Sequence, residues 1–110
     1  MHELAIAEGV IETVTGRLPG AKVSRVILRI GALTCVEPEA MRFCFDAAAQ
    51  GTALEGAVLE IVEVPARGSC RTCGAADVAV DPRIPLCPCG SADLDLTDGE
   101  QLLVSAVEVA

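Results

Sequence analysis

The chain has 110 residues, 52% of them apolar, and its sixteen acidic and eight basic side chains give a formal charge of −8. That length holds one compact unit, or one small domain with an inserted lobe. The acidic balance, with two Phe and neither Trp nor Tyr, excludes the basic patches and stacking platforms of a nucleic-acid binder and suits cationic partners such as metal ions. No stretch is long enough to span a bilayer. The start Met1-His2-Glu3-Leu4 has neither a basic region nor an apolar run, which argues against a signal or transit peptide. The expected location is cytoplasmic, where all six cysteines stay reduced.

Leu4, Ala7, Val10, Ile11, Val14 and Leu18 recur at intervals of three and four, so a helix is expected from about residue 4 to 18, stopped by Pro19-Gly20. Lys22 to Ile30 reads as a strand with Val26, Leu28 and Ile30 on one face and Arg25, Ile27 and Arg29 on the other. After a connection through Gly31 and Glu37, Pro38 suits the first position of a second helix. Met41, Cys44, Phe45 and Ala48 form the apolar stripe of that helix, and Gly51 is placed to end it. Cys35 and Cys44 read as small buried hydrophobes. Ala57 to Val64 proposes a second strand, closed by Pro65, with Leu94 to Gly99 a polar return and Leu102 to Val109 a third β-rich run.

These elements predict an α+β fold: a three-stranded sheet with two helices on one face, plus an inserted zinc-ribbon-like lobe. In this division residues 1–66 and 98–110 form an α/β domain, and 67–97 form a zinc-binding domain inserted between two strands. On the solvent face Glu60 or Glu63 and Glu108 are candidates to lie across from Arg25 and Arg29.

The lobe carries four of the six cysteines. Cys70-Arg-Thr-Cys73-Gly74 and Cys87-Pro88-Cys89-Gly90 are two cysteine pairs, each followed by a glycine, in the pattern of zinc knuckles. Four thiolates satisfy a tetrahedral Zn²⁺ and leave no open position for a substrate water, so the implied zinc is structural. The second pair is C-x-C where C-x-x-C is the regular form, and Pro88 fixes φ between its two sulfurs. A redox dithiol or a disulfide is the competing reading. A redox C-x-x-C normally opens a helix after a strand, and here Gly74 leads into an irregular loop.

His2, the only histidine, follows the free α-amine. The Met1 amine, the His2 amide and His2 Nδ1 can close adjacent chelate rings, with Glu3 able to add its carboxylate or amide, a nitrogen set suited to Ni²⁺ or Cu²⁺. Equally, a lone histidine near a chain end can be without consequence. Met1-His2-Glu3-Leu4, Arg29-Ile-Gly31, Val36-Glu37-Pro38-Glu39, Phe43-x-Phe45, Glu60-Ile61 and the two knuckles with Gly90-Ser91 together resemble the HypA/HybF family over essentially the whole chain. The resemblance implies a nickel metallochaperone for [NiFe]-hydrogenase maturation, a carrier and not an enzyme. It implies transported Ni²⁺ on Met1, His2, Glu3 and Glu37, and structural Zn²⁺ on Cys70, Cys73, Cys87 and Cys89. The partners it implies are a HypB-like nucleotide-hydrolysing GTPase and the hydrogenase large-subunit precursor, with a homodimer left open. Glu37 can instead serve only to start the second helix, where a carboxylate favours the dipole. A zinc-ribbon adaptor for protein partners, with His2 incidental, and an iron tetrathiolate electron carrier are the alternatives. One histidine, no Ser-His or Cys-His pair and no phosphate loop equip the chain poorly as an enzyme.

Overall fold

Helix α1 spans Glu3–Arg17 and buries Ala7, Val10, Ile11 and Val14, four of the six positions in the expected apolar stripe. In this computed structural model, which describes residues 2–110, the fold is α+β. Strand β1 (Val23–Gly31) follows, with Val26, Leu28 and Ile30 buried and Arg25, Ile27 and Arg29 partly exposed, the alternation read from the sequence. A 3-10 turn at Ala32–Thr34 leads to helix α2 (Pro38–Ala49), which opens on Pro38 and buries Met41, Phe45 and Ala49. Gly51, at φ +79, follows the end of α2 in the left-handed conformation that glycine adopts without a steric penalty. The remaining strands are β2 (Val58–Val64), β3 (Arg67–Cys70), β4 (Val78–Ala79), β5 (Leu94–Asp98) and β6 (Leu102–Val109).

Two three-stranded sheets result, ordered β2-β1-β6 and β4-β3-β5. In the first, the Ala110 N–H donates to the Lys22 carbonyl at one end of β1 and the Gly31 N–H to the Gln101 carbonyl at the other, so β6 runs antiparallel to β1. Arg25 bridges the strands on the solvent face, at 3.1 Å to Glu60 and 3.2 Å to Glu108. Strand β2 lies on the other side of β1 in the same sheet.

The chain divides into two compact units, one of Met1–Arg29, Val36–Val62 and Leu103–Ala110, the other of Ile30–Cys35 and Glu63–Leu102. In the first unit α1 and α2 pack together over a core that includes Val10, Val14, Leu28, Met41, Phe45 and Leu54. In the second, β3 pairs antiparallel with β4 and β5, and a register shift between Arg67 and Gly68 marks a bulge. Three expectations are corrected here. The stretch 94–99 is not merely a polar return, since Leu94 and Leu96 alternate with Asp95 and Thr97 in a strand. The residues after Gly74 include a two-residue strand and are not wholly irregular. Cys35 is exposed at φ +60, because the 3-10 turn ends on it in the left-handed region, and Cys44 is only half-buried.

Close backbone approach fixes one point of the second unit. A Cβ on Gly31 would fall onto the Gly99 carbonyl and lie 2.7 Å from the Gln101 nitrogen, and one on Gly99, at φ +101, would lie 2.6 Å from the Ala66 Cα. All of these neighbours are backbone, which cannot swing aside as a side chain does. Gly31→Ala should therefore lower unfolding stability by about 2–3 kcal/mol, as overpacking of a filled site does. Chemical denaturation compared with Gly9→Ala, whose added methyl meets open space on α1, checks this.

Candidate metal centre

Strand β3 ends on Cys70, and the chain turns at once. The Gly74 N–H donates to the Cys70 carbonyl at 3.0 Å, the Cys70 N–H to the Ala75 carbonyl at 2.9 Å, and Gly74 sits at φ +76. The second knuckle repeats the design with one residue fewer. The Gly90 N–H donates to the Cys87 carbonyl at 2.8 Å, the Cys87 N–H to the Ser91 carbonyl at 2.8 Å, and Gly90 is at φ +93. The shorter Cys87-Pro88-Cys89 spacing is thus taken up within the turn, and both of its sulfurs still reach the cluster. A residue with a side chain would be strained at either glycine.

The structure brings Cys70, Cys73, Cys87 and Cys89 together with their sulfurs all within 4.8 Å of one another. Across the knuckles Cys70 and Cys89 are 3.7 Å apart, as are Cys73 and Cys87. Sulfurs about 2.3 Å from a common ion in a tetrahedron would be about 3.8 Å apart, so the donor set and its spacing fit Zn²⁺. Cys70 and Cys87 are buried while Cys73 and Cys89 are exposed.

Electrostatics point the same way. The Cys73 N–H aimed at the Cys70 sulfur, with further hydrogen bonds from Thr72, Cys73 and Cys89, holds the Cys70 thiol down to about 6. The Cys89 N–H favours the Cys87 thiolate, but burial and the three neighbouring thiols outweigh it and push that group up to about 12. Four sulfurs at this spacing cannot all ionise without a cation among them.

Braces that the sequence reading missed hold the knuckles face to face. Thr72 and Ser91 share a hydroxyl hydrogen bond at 2.7 Å, and the Arg71 guanidinium reaches Asp93 at 2.9 Å and Asp95 at 3.6 Å. Arg67 donates to the Asp77 carboxylate and carbonyl across β3 and its neighbour. The only sequence signal is that each knuckle has a polar residue beside its cysteines, which does not specify the pairing.

The N-terminal candidates lie in the first unit, and the Met1 assignment falls outside the described residues. His2 is exposed, precedes the first residue of α1, and makes no side-chain cap. The first helical hydrogen bond runs from the Ile6 N–H to the His2 carbonyl at 3.2 Å. The amide nitrogens of His2 and Glu3 therefore have no intrahelical carbonyl to bind. Glu3 Oε2 accepts the Glu37 N–H at 3.1 Å, and the Glu37 carboxylate accepts the Glu39 N–H at 3.3 Å. Glu37 is thus the N-cap of α2, and Pro38, with no N–H of its own, leaves the Glu39 donor as the one to satisfy. Among the described residues His2, Glu3 and Glu37 do not gather three side-chain donors as the cysteines do.

Comparison with known proteins decides the family. The family model described as "Hydrogenase/urease nickel incorporation, metallochaperone" matches residues 1–109. The chain belongs to the HypA family. Hydrogenase maturation factor HypA of Nostoc punctiforme is 48% identical over 109 residues, covering 99% of this chain and 96% of the relative. HypA of Acidithiobacillus ferrooxidans is 47% identical over 113 residues, covering 99% of each. The fold matches the solution structure of the Ni metallochaperone HypA from Helicobacter pylori with a TM-score of 0.67 at 19% identity, over 99% of this chain and 97% of that one. The HypA family is one of nickel metallochaperones and hydrogenase maturation factors, and this chain brings to it a four-cysteine cluster with metal-site geometry.

The contact between the two helix starts has a measurable consequence. The Glu37 N–H, together with a backbone hydrogen bond within Glu3 itself, holds the Glu3 carboxyl below its ordinary 4.5. A depressed folded value contributes stability that is complete above 4.5 and is lost as pH falls through the lowered value. Glu3→Gln should accordingly destabilise the protein at pH 7 and match the parent near pH 3 in thermal melts. Glu37→Ala should cost about 0.5–1 kcal/mol at neutral pH through the lost cap.

Proposed function

We propose that the chain takes up Ni²⁺ at its N-terminus and delivers it for [NiFe]-hydrogenase maturation, as a carrier without turnover and with a structural zinc ion. The observation that carries the reading is the family match running from residue 1 to 109, through both the N-terminal start and the cysteine lobe. In this reading residues 1–66 and 98–110 are the nickel-binding domain and 67–97 the zinc-binding domain.

The nickel ligands are the Met1 amine, the His2 amide nitrogen and His2 Nδ1, with Glu3 or Glu37 supplying the fourth donor. Two observations support the set: the His2 ring is exposed and uncommitted to capping, and its amide lies ahead of the first helical hydrogen bond. Glu37 also holds Glu3 through its backbone N–H, while its own carboxylate accepts the Glu39 N–H at the start of α2. A planar field of nitrogen donors favours low-spin Ni²⁺. Delivery runs in the cytoplasm to a HypB-like GTPase and the hydrogenase large-subunit precursor, which receive the ion by ligand exchange at the exposed chain end.

The zinc is held by Cys70, Cys73, Cys87 and Cys89 and contributes folding energy to the lobe. Purified protein should contain about one zinc per chain. Cys35→Ser and Cys44→Ser should keep it and Cys73→Ser should lose it, as read by elemental analysis. Because Cys70 in the metal-free cluster titrates near 6, zinc uptake at pH 7.5 should release about one proton fewer than at pH 5.5, measured by calorimetry in buffers of different ionisation enthalpy. Iron in place of zinc, with the red colour of a ferric tetrathiolate, would reject this assignment and favour electron transfer.

The nickel reading is tested by comparing the untagged chain with His2→Ala and with a form carrying Gly-Ser ahead of Met1. Both changes should weaken nickel binding at least about tenfold, the first by removing the ring and the second by converting the amine to an amide. A Gly-Ser form that binds as tightly as the parent, while His2→Ala does not, would retain the imidazole and reject the amine. If both bind normally, the N-terminal site is wrong and the adaptor reading gains.

A further inference from the structure

The two knuckles meet at more than their sulfurs. Thr72 precedes the exposed Cys73, and Ser91 follows the exposed Cys89 by two residues. Their hydroxyls lie 2.7 Å apart, and neither is one of the four metal donors. Ser91 is tied into the second knuckle at two further points, since its Oγ accepts the Asp93 N–H at 3.0 Å and its carbonyl accepts the Cys87 N–H at 2.8 Å. Beside this pair the Arg71 N–H donates to the Asp93 carbonyl at 3.0 Å. The knuckles are thus joined side by side at points outside the cluster they enclose.

Sulfur spacing shows what such a join opposes. Cys70 and Cys89, and likewise Cys73 and Cys87, are 3.7 Å apart across the knuckles. A square plane with the same metal–sulfur length of about 2.3 Å would put neighbouring sulfurs about 3.3 Å apart and opposite ones about 4.6 Å apart, and the observed spacing fits neither. Zn²⁺ has no d-electron preference for a plane, whereas Ni²⁺ favours planar and tetragonal sites. To flatten the cluster, one knuckle must rotate against the other about the ion. Rotation displaces groups outside the sulfurs furthest, and two hydroxyls already in contact part at once.

We propose that Thr72 and Ser91 form a clasp that holds the four thiolates tetrahedral and so keeps Ni²⁺ out of the cysteine centre. They are positioning residues, acting through the knuckles that carry the ligands and not on the ion itself. The acidic surface makes the discrimination necessary, because a charge of −8 concentrates dications without telling nickel from zinc. The inference rests on the zinc part of the proposed function and does not depend on which groups bind nickel at the chain end.

The test follows zinc loss from the full-length, zinc-loaded chain in excess Ni²⁺, by elemental analysis after desalting. Sulfur-to-nickel charge-transfer absorption reports nickel entering the cluster, since a nitrogen site at the chain end does not produce it. Thr72→Val and Ser91→Ala should each exchange at least about fivefold faster than the parent, the worth of one neutral hydrogen bond. The double variant should exchange no faster than Ser91→Ala, because both changes break the same contact. Thr72→Ser, which keeps the hydroxyl, should retain zinc like the parent, as should Thr97→Val, the same change at an exposed threonine of β5. Loaded with Co²⁺, every variant should show the parent's tetrahedral tetrathiolate spectrum, which separates faster exchange from a lost ligand. Additive effects, a Thr72→Ser form that exchanges as fast as Thr72→Val, a Thr97→Val form that matches it, or a cobalt spectrum with less thiolate absorption would each overturn the clasp. Zinc present in the parent and released alike from every variant rejects the clasp alone. A parent purified with iron or without metal rejects the zinc reading and the clasp with it.

Discussion

Four sulfurs within 4.8 Å of one another are the constraint on which the second unit rests. Its apolar interior is small: Ile30, Val64, Ala66 and Val80 are buried, and the remaining buried side chains of the unit are Cys70 and Cys87. Burial of that extent does not hold so short a stretch against its conformational entropy. As thiols the four groups attract weakly, and as thiolates they repel. A shared dication would reverse the sign of that repulsion, and ion binding and folding of the lobe would then be thermodynamically one event. The positive-φ glycines, the Thr72 to Ser91 hydroxyl pair and the Arg71 to Asp93 contact all turn the two knuckles toward the same point.

The first unit needs no such staple, because Val14, Leu28, Met41, Phe45 and Leu54 give it a filled core between helices and sheet. The nickel chemistry proposed for it is therefore of another kind. A helix start leaves backbone nitrogens without partners, and a metal that binds amide nitrogen uses what the fold already leaves over. What such a site requires is a fixed helix end. The Glu3 to Glu37 contact joins the start of α1 to the start of α2, so both helices bear on the geometry of residues 2 and 3. Replacing a cysteine removes a ligand and a fold determinant together. Replacing His2 removes a side chain that no cap or core contact uses.

Legibility in the sequence follows the length and burial of each element. The apolar stripe of α1, the alternation of β1 and the Pro38 start of α2 are strong signals, because each element buries one face over two or more turns or pleats. The cysteine cluster is legible from spacing alone, since the turn, the ligand and the glycine are neighbours in sequence. The small sheet is not legible. Strand β4 has two residues, β5 is mostly exposed, and the pairing of β3 depends on contacts up to about thirty residues apart that no local pattern encodes. Cys35 reads as a small hydrophobe by composition and is exposed because the turn before it dictates its backbone. The capping contact of Glu37 is not legible in the sequence, because Val36-Glu37-Pro38-Glu39 equally suits a ligand and a cap, and only the structure shows the Glu39 N–H pointing at its carboxylate.

Charge distribution separates what stabilises the molecule from what orients its encounters. Arg25, Arg67, Arg71 and Arg83 are each paired with acidic groups, all of them substantially exposed. Exposed pairs of this kind add little to stability, since the side chains lose entropy and water screens the attraction. Their arrangement matters more. With four of the eight basic residues already answered by carboxylates, sixteen acidic groups leave a surplus that no local pairing cancels. A field of that sign raises the local concentration of dications and lowers that of phosphate backbones, over a distance set by the ionic strength. It selects the class of ligand that reaches the surface. Selection among dications must then come from the donors, and under the proposed function these are nitrogen at the chain end and sulfur in the lobe, which differ in softness and preferred geometry.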